Sequence, residues 1–336
     1  MIAKRPLATL LVCCVPALIC VAVGAPKSVS KTRNRIPSQA TTATGEIVLT
    51  EELRRDLDAL CNTIGERNVA RPENLARAAD YITTSLAATG LKIQEQTYVV
   101  EGVSCKNLWV ELVGTTKPDE IVIIGAHYDS ALGSPGANDN GTGAVSVLAL
   151  VRRFAKSRFP RTVRFVEFTN EEPPWFQTAQ MGSLVYAKAC RERKEKIVAM
   201  VSLETMGYYS GTKNSQRYPS PAFNMIYPST GNFLSFIGNS ASRKLVDQAH
   251  EAFRRATDFP AQHAAVPGAI EGVGFSDHWS FWKQGFPAIM VTDTAYFRYP
   301  YYHTPRDKPE MVQVDNLARV VLGLESVVES LGTTEP

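Results

Sequence analysis

Four short runs of this chain are apolar almost without interruption: "EIVIIGA" from Glu120, "TVRFVEF" to Phe168, "IVAMVSL" to Leu203 and "PAIMVTD" to Asp293. A strand with one wet face alternates apolar and polar residues, whereas a strand covered on both faces does not. Between and after these runs come stretches of helical period, "GAVSVLALVRRFAKS", "GSLVYAKACRERKEK", "SRKLVDQAHEAFRRAT" and "DNLARVVLGLESVVESL". Buried strands alternating with amphipathic helices predict an α/β three-layer sandwich, a mixed and centrally parallel sheet flanked by helices. Upstream, "LKIQEQTYVV" and "SCKNLWVELVG" alternate as an antiparallel pair should, and are placed at one edge. Before them, Thr50 is set to cap a helix over "EELRRDLDALCNTIG", and a second helix starts after Pro72 and stops at Gly90. Residues 205–240, rich in turn formers and aromatics, fit none of these patterns and read as a long irregular rim.

The N-terminus is of another kind. "MIAKRP" is a short basic segment, "LATLLVCCVPALICVAV" an apolar one, and small residues follow at a cleavage position after Gly24. Residues 1–25 read as a signal peptide or membrane anchor, residues 26–46 as a flexible linker, and residues 47–336 as one catalytic domain. Export to the periplasm or outside follows on either reading, with any membrane contact made through the N-terminal segment alone. A formal net charge of +3 without a basic run excludes a nucleic-acid partner. Cys61, Cys105 and Cys190 lie far apart and form no CxxC pair; one disulfide or none is open, with small buried hydrophobes the simpler reading.

Ligands of open α/β sheets sit at the carboxyl ends of the strands. Here those ends carry His127 and Asp129, then Glu171 and Glu172, then Glu204, and across a short loop His303. A lone histidine at a strand end is more often satisfied by hydrogen bonds than by a metal. Asp129, two residues along an extended chain, changes that balance because it can hold the imidazole's other nitrogen. Asp139 lies in the Gly/Asn-rich loop "GSPGANDNGTGA", where a carboxylate can bridge two cations. Glu171 and Glu172 are followed by two prolines and Trp175, a poor context for solvated charge. His127, Asp139, Glu172, Glu204 and His303 together offer nitrogen and oxygen donors and no thiolate, which suits zinc first, with cobalt or manganese accepted. Two histidines and three carboxylates make a dinuclear site if one carboxylate bridges, and Glu171 is left free to move a proton.

The ordered set "GAHYDS", "PGANDNGTGA", "NEE", "MGS", "SLETMG", "SDHWSFW" and "YYHTPRD" resembles the M28 family of co-catalytic zinc peptidases. The resemblance spans roughly residues 50–330 and implies a zinc-dependent exopeptidase-like fold, two zinc ions per chain and peptide substrates with a free N-terminus. It implies that His127 and Glu204 hold one zinc, Glu172 and His303 the other, and that Asp139 bridges them. Glu171 becomes the general base and Asp129 the carboxylate behind His127. Asn140 follows the bridging residue at a peptide bond that is cis in some members, and Tyr302 matches a tyrosine that steadies the oxyanion. Asp277 and His278 belong to a signature near the site and are not assigned as ligands. Glu204 stands where many members carry Asp, and "NEEPPWF" replaces the usual Glu-Glu-x-Gly-Leu, so the pocket wall differs.

The resulting expectation is an exported di-zinc aminopeptidase, with Trp175, Tyr208, Tyr209 and Phe275 as candidate pocket residues. A single-zinc glutaminyl cyclase is one alternative. A carboxypeptidase is another and would need a cation for the substrate's carboxylate, for which Arg298 is the candidate. A binding module that has lost catalysis is a third, disfavoured because every site position is filled. His250 and His263 read as surface residues.

Overall fold

Strands buried on both faces require a layer of helices on each side, and the chain supplies both. A computed structural model describes residues 39–333. The leader at 1–25 and the linker up to residue 38 lie outside the described residues. The first helix, α1 (Gln39–Leu57), takes in residues 39–46 as well, and Thr50 sits inside it rather than capping it. A wide turn at Asp58–Ile64 leads to α2 (Pro72–Ala87), which opens with proline at its first position and ends before Gly90 at φ +76°. No helix of the described residues is long and apolar enough to cross a membrane.

Eight strands form one sheet: β1 (Gln94–Val100), β2 (Val103–Leu112), β3 (Lys117–His127), β4 (Arg161–Phe168), β5 (Lys196–Glu204), β6 (Leu234–Asn239), β7 (Ala261–Val266) and β8 (Ala288–Thr292). Their spatial order is β1-β2-β4-β3-β5-β8-β6-β7. The four apolar runs are the neighbours β4, β3, β5 and β8, all mutually parallel. The early hairpin β1–β2 pairs antiparallel with β4, as its alternation requires. The far edge differs from the sequence reading. β6 runs antiparallel to β8, and β7 runs parallel to β6. Neither was visible as a strand, because "LSFIGN" is embedded among turn formers and "AQHAAV" has little apolar contrast; pairing with β8 and β6 supplies what local propensity does not.

Helices α3 (Thr142–Phe154), α5 (Arg243–Ala256) and the last helix (Val314–Gly332) join α1 and α2 over one face. The other face is covered by α4 (Gly182–Glu192) and the short α6 (His278–Lys283). Alternation along β3 shows the division: Val122, Ile124 and Ala126 point into the larger core, Ile121 and Ile123 into the smaller. Because α3 and α4 lie on opposite faces, the connections leaving β3 and β4 diverge, and a crevice opens beyond the end of β3. Cys61, Cys105 and Cys190 are buried and unpaired, in keeping with small core residues. His250 departs from the surface reading: it is half-buried, edge-on to Phe236 and stacked at 4.1 Å on the more exposed His263.

Phe165 on β4 is 1% exposed and Val99 on the edge strand β1 is 65% exposed. Phe165→Ala should therefore cost about 3–5 kcal/mol in urea unfolding, while Val99→Ala stays within about 0.5 kcal/mol.

Candidate metal centre

The parallel order β4-β3-β5-β8 brings one donor-bearing segment from each strand to a single edge. His127 and Glu204 are the last residues of β3 and β5, Glu171 and Glu172 follow β4, and His303 lies on the segment after β8. Asp139 enters from the buried loop ahead of α3, at a cis peptide bond to Asn140. Its two carboxylate oxygens divide between the two histidines. Oδ1 lies 3.5 Å from His127 Nε2, and Oδ2 lies 2.9 Å from His303 Nε2. Glu204 Oε2 is 3.3 Å from His127 Nε2, and Glu172 Oε2 is 3.0 Å from His303 Nε2. Two donor groups result, His127–Asp139–Glu204 and Asp139–Glu172–His303, each with its donor atoms within 4.8 Å of one another and sharing Asp139. His127 Nε2, Asp139 Oδ2, Glu172 Oε1 and His303 Nε2 are buried without a hydrogen-bond partner. Nitrogen and oxygen atoms gathered in this way fit a pair of dications, and the residues present suit zinc.

The surrounding polar contacts hold the donors in place. Asp129 lies 3.5 Å from His127 Nδ1 and accepts the backbone N–H groups of Glu171 (3.1 Å) and Glu172 (3.2 Å). One carboxylate thus orients the imidazole and the adjacent glutamate pair. Asn140 accepts from the Gly143 and Thr205 amides and donates to the Leu203 carbonyl at 2.8 Å, fastening the loop to the end of β5. Ser276 donates to Glu204 Oε2 at 2.7 Å and meets Ser202 at the same distance. Asp277 is buried beside this group, and His278 is taken up by the Val273 carbonyl at 2.8 Å and by the edge of Trp282.

The electrostatics show why the cluster calls for cations. Burial pushes Glu172 up to about 7 and Glu204 up to about 8, with the Asp139 charge adding in both cases. Glu171 is raised well above its usual range by burial, with Glu204 and Glu172 adding. Burial also raises Asp277 to about 7. In His303 burial works against protonation, but the carboxylates of Asp139 and Glu172 beside its Nε2 prevail and lift it to about 11. His127 is likewise raised, burial being outweighed by Glu171 and Glu204. Carboxylates crowded in a dry site must share protons or bind positive charge.

Glu171 Oε2 lies 3.8 Å from His127 Nε2, and the residue is 7% exposed, so it stays reachable. Tyr302 stacks on His303 with centroids 3.9 Å apart. Beside Glu204 and Tyr302 opens an apolar cavity of about 110 Å³, lined among others by Tyr218, Phe223, Phe233, Phe275, Tyr296 and Phe297. Of the pocket residues expected from sequence, Phe275 is on this wall. Trp175 packs on the larger core, Tyr208 lies tilted against Tyr299, and Tyr209 is buried edge-on to Phe259. Arg298 is also absent from the wall. Its buried guanidinium donates to Gln216 and the Phe233 and Tyr208 carbonyls and lies over the Phe233 ring, a role in packing rather than in binding a carboxylate. Aromatics and arginine satisfy core demands as readily as pocket demands, so their type alone does not place them.

The model of Peptidase family M28 matches residues 107–328. The "Uncharacterized protein YfbL" of Escherichia coli (strain K12) is 35% identical over 283 residues, covering 82% of this chain and 86% of that protein. A Saccharomyces cerevisiae protein described as "Probable aminopeptidase YDR415C" is 24% identical over 271 residues, 74% of this chain and 65% of its own length, so the match leaves over a third of that relative uncovered. Two solved structures share the fold at 17% identity. The LapA aminopeptidase of Legionella pneumophila has a TM-score of 0.66 over 92% of this chain and 79% of its own. The glutaminyl cyclase of Fimbriiglobus ruber has a TM-score of 0.61 over 84% and 95%.

Asp129→Asn should weaken zinc binding about 10–100-fold in chelator competition, since one substitution disturbs both the imidazole and the Glu171–Glu172 turn.

Proposed function

The chain belongs to peptidase family M28, and on that premise we propose that it is a two-metal aminopeptidase that releases N-terminal residues from peptides. The observation that carries the reading is the pair of donor groups sharing Asp139. The description of the yeast relative as a probable aminopeptidase supports it. In this proposal His127 and Glu204 would hold one zinc and Glu172 and His303 the other, with Asp139 contributing to both groups. Zinc in such a pair lowers the pKa of water and polarises the scissile carbonyl.

The remaining work falls to the chain's own groups. Glu171, held by Asp129 through its backbone amide, takes the proton of the attacking water and returns it to the leaving amine. Tyr302, fixed by its stack on His303, donates its hydroxyl to the oxygen on which charge develops. Asp129, Asp139, Glu171, Glu172 and Glu204 contribute five carboxylates, of which two dications offset four charges. The balance favours a substrate ammonium over a substrate carboxylate, and Arg298 is engaged elsewhere; both points weigh against a carboxypeptidase. The cavity beside Glu204 and Tyr302 suits a large apolar first side chain. Export directed by residues 1–25 belongs to the same proposal.

The test uses protein expressed without residues 1–25, with zinc content measured beside hydrolysis of a Leu-anilide and its N-acetylated twin. Two zinc ions per chain and hydrolysis of the free amine alone are expected, with Leu and Phe preferred over Asp and Glu. Glu171→Gln should keep the metal and lower kcat about 10²–10⁴-fold. One zinc, no hydrolysis and cyclisation of an N-terminal Gln peptide would replace this reading with a glutaminyl cyclase.

A further inference from the structure

Every residue of the loop from Gly136 to Gly141 is buried. A buried loop must find partners for its backbone, and here an arginine and an aspartate from distant segments provide them. Arg67, between the Asp58–Ile64 turn and α2, is fully buried. Its guanidinium donates to the Pro135 carbonyl at 2.5 Å and the Gly136 carbonyl at 2.9 Å, and through Nε to the carbonyl of Tyr128. Asp307, four residues past His303, is fully buried as well. Its carboxylate accepts the amide of Asn138 on Oδ1 at 2.8 Å and the amide of Asp139 on Oδ2 at 3.0 Å, with the Tyr299 hydroxyl at 2.9 Å on Oδ1. Gly136 completes the fit: at φ +63° a Cβ there would come within 2.5 Å of Ser130 Cβ and 2.6 Å of the Asp139 carbonyl.

The two contacts are opposite in sign and in reach. The cation takes the loop's carbonyls and ties them to Tyr128, the neighbour of His127. The anion takes the loop's amides and ties them to the segment that carries His303. We propose that Arg67 and Asp307 are positioning residues with separate charges: Arg67 sets Asp139 against His127 for one donor group, and Asp307 sets Asp139 against His303 for the other. A side chain that touches no donor atom thereby controls one metal position and leaves its neighbour almost undisturbed. The inference rests on the two-metal reading above.

The experiment is zinc titration against a chelator on wild type, Arg67→Lys and Asp307→Asn, with anomalous zinc occupancies from crystals to identify the site affected. Lysine keeps the charge without the fork, and asparagine can accept only one of the two amides. Each variant should lose about 10–100-fold in affinity at one site and less than about 3-fold at the other. The weakened site should be the His127 group in Arg67→Lys and the His303 group in Asp307→Asn, with melting of the metal-free proteins within a few degrees of wild type. Equal loss at both sites, or loss at neither, would overturn the assignment. If either variant does not fold, Tyr299→Phe removes only the hydroxyl on Asp307 and should lower occupancy at the His303 group alone; unchanged occupancy there would count against the proposal. A wild type that binds one zinc would instead defeat the two-metal reading, a result distinct from two zincs and unaffected variants.

Discussion

The site depends on an electrostatic conflict at the carboxyl edge of the sheet. Five largely buried carboxylates converge on two histidines, and Asp139 is reached by both histidines at once. Like charges at such separations are tolerable only with positive charge among them. Much of the surrounding architecture can be read as the means of keeping that conflict in one place. Asp129 takes two backbone amides, Ser276 and Asn140 hold the end of β5, and the loop bearing Asp139 is enclosed on every side. None of these contacts adds much stability by itself, and together they prevent the carboxylates from relaxing apart.

The sheet and the residues gathered at its carboxyl edge were legible in the sequence for the same reason. A strand covered on both faces must be apolar along its length, so a charged residue where it ends stands out, and four such ends occur in adjacent strands. The antiparallel hairpin was legible from its alternation. The far edge was not, since β6 and β7 owe their form to the strands beside them. The 26–46 boundary was drawn from composition alone, and α1 crosses it because Ser, Thr and Ala do not forbid a helix.

Arg67 and Asp307 show a different kind of silence. A guanidinium bound to carbonyls and a carboxylate bound to amides have no partner in the sequence with which to form a pattern, because every residue carries those groups. The aromatic wall was hidden for a related reason. Tyr209 and Trp175 are as aromatic as Phe275, and only the fold distinguishes ring faces turned to the core from those turned to the cavity.

Strand neighbours in a sheet are separated by a nearly fixed pitch, and His127 and Glu204 stand at the ends of two such neighbours. The spacing of part of the centre is thus ruled by the backbone, while the cavity wall is drawn largely from segments downstream of β5, among them Tyr218, Phe223, Phe233 and Phe275. Apart from Glu204 and Tyr302, which border both, the charged centre and the apolar wall draw on different residues. Substitutions in those segments can reshape the cavity while the sheet keeps His127 and Glu204 in register.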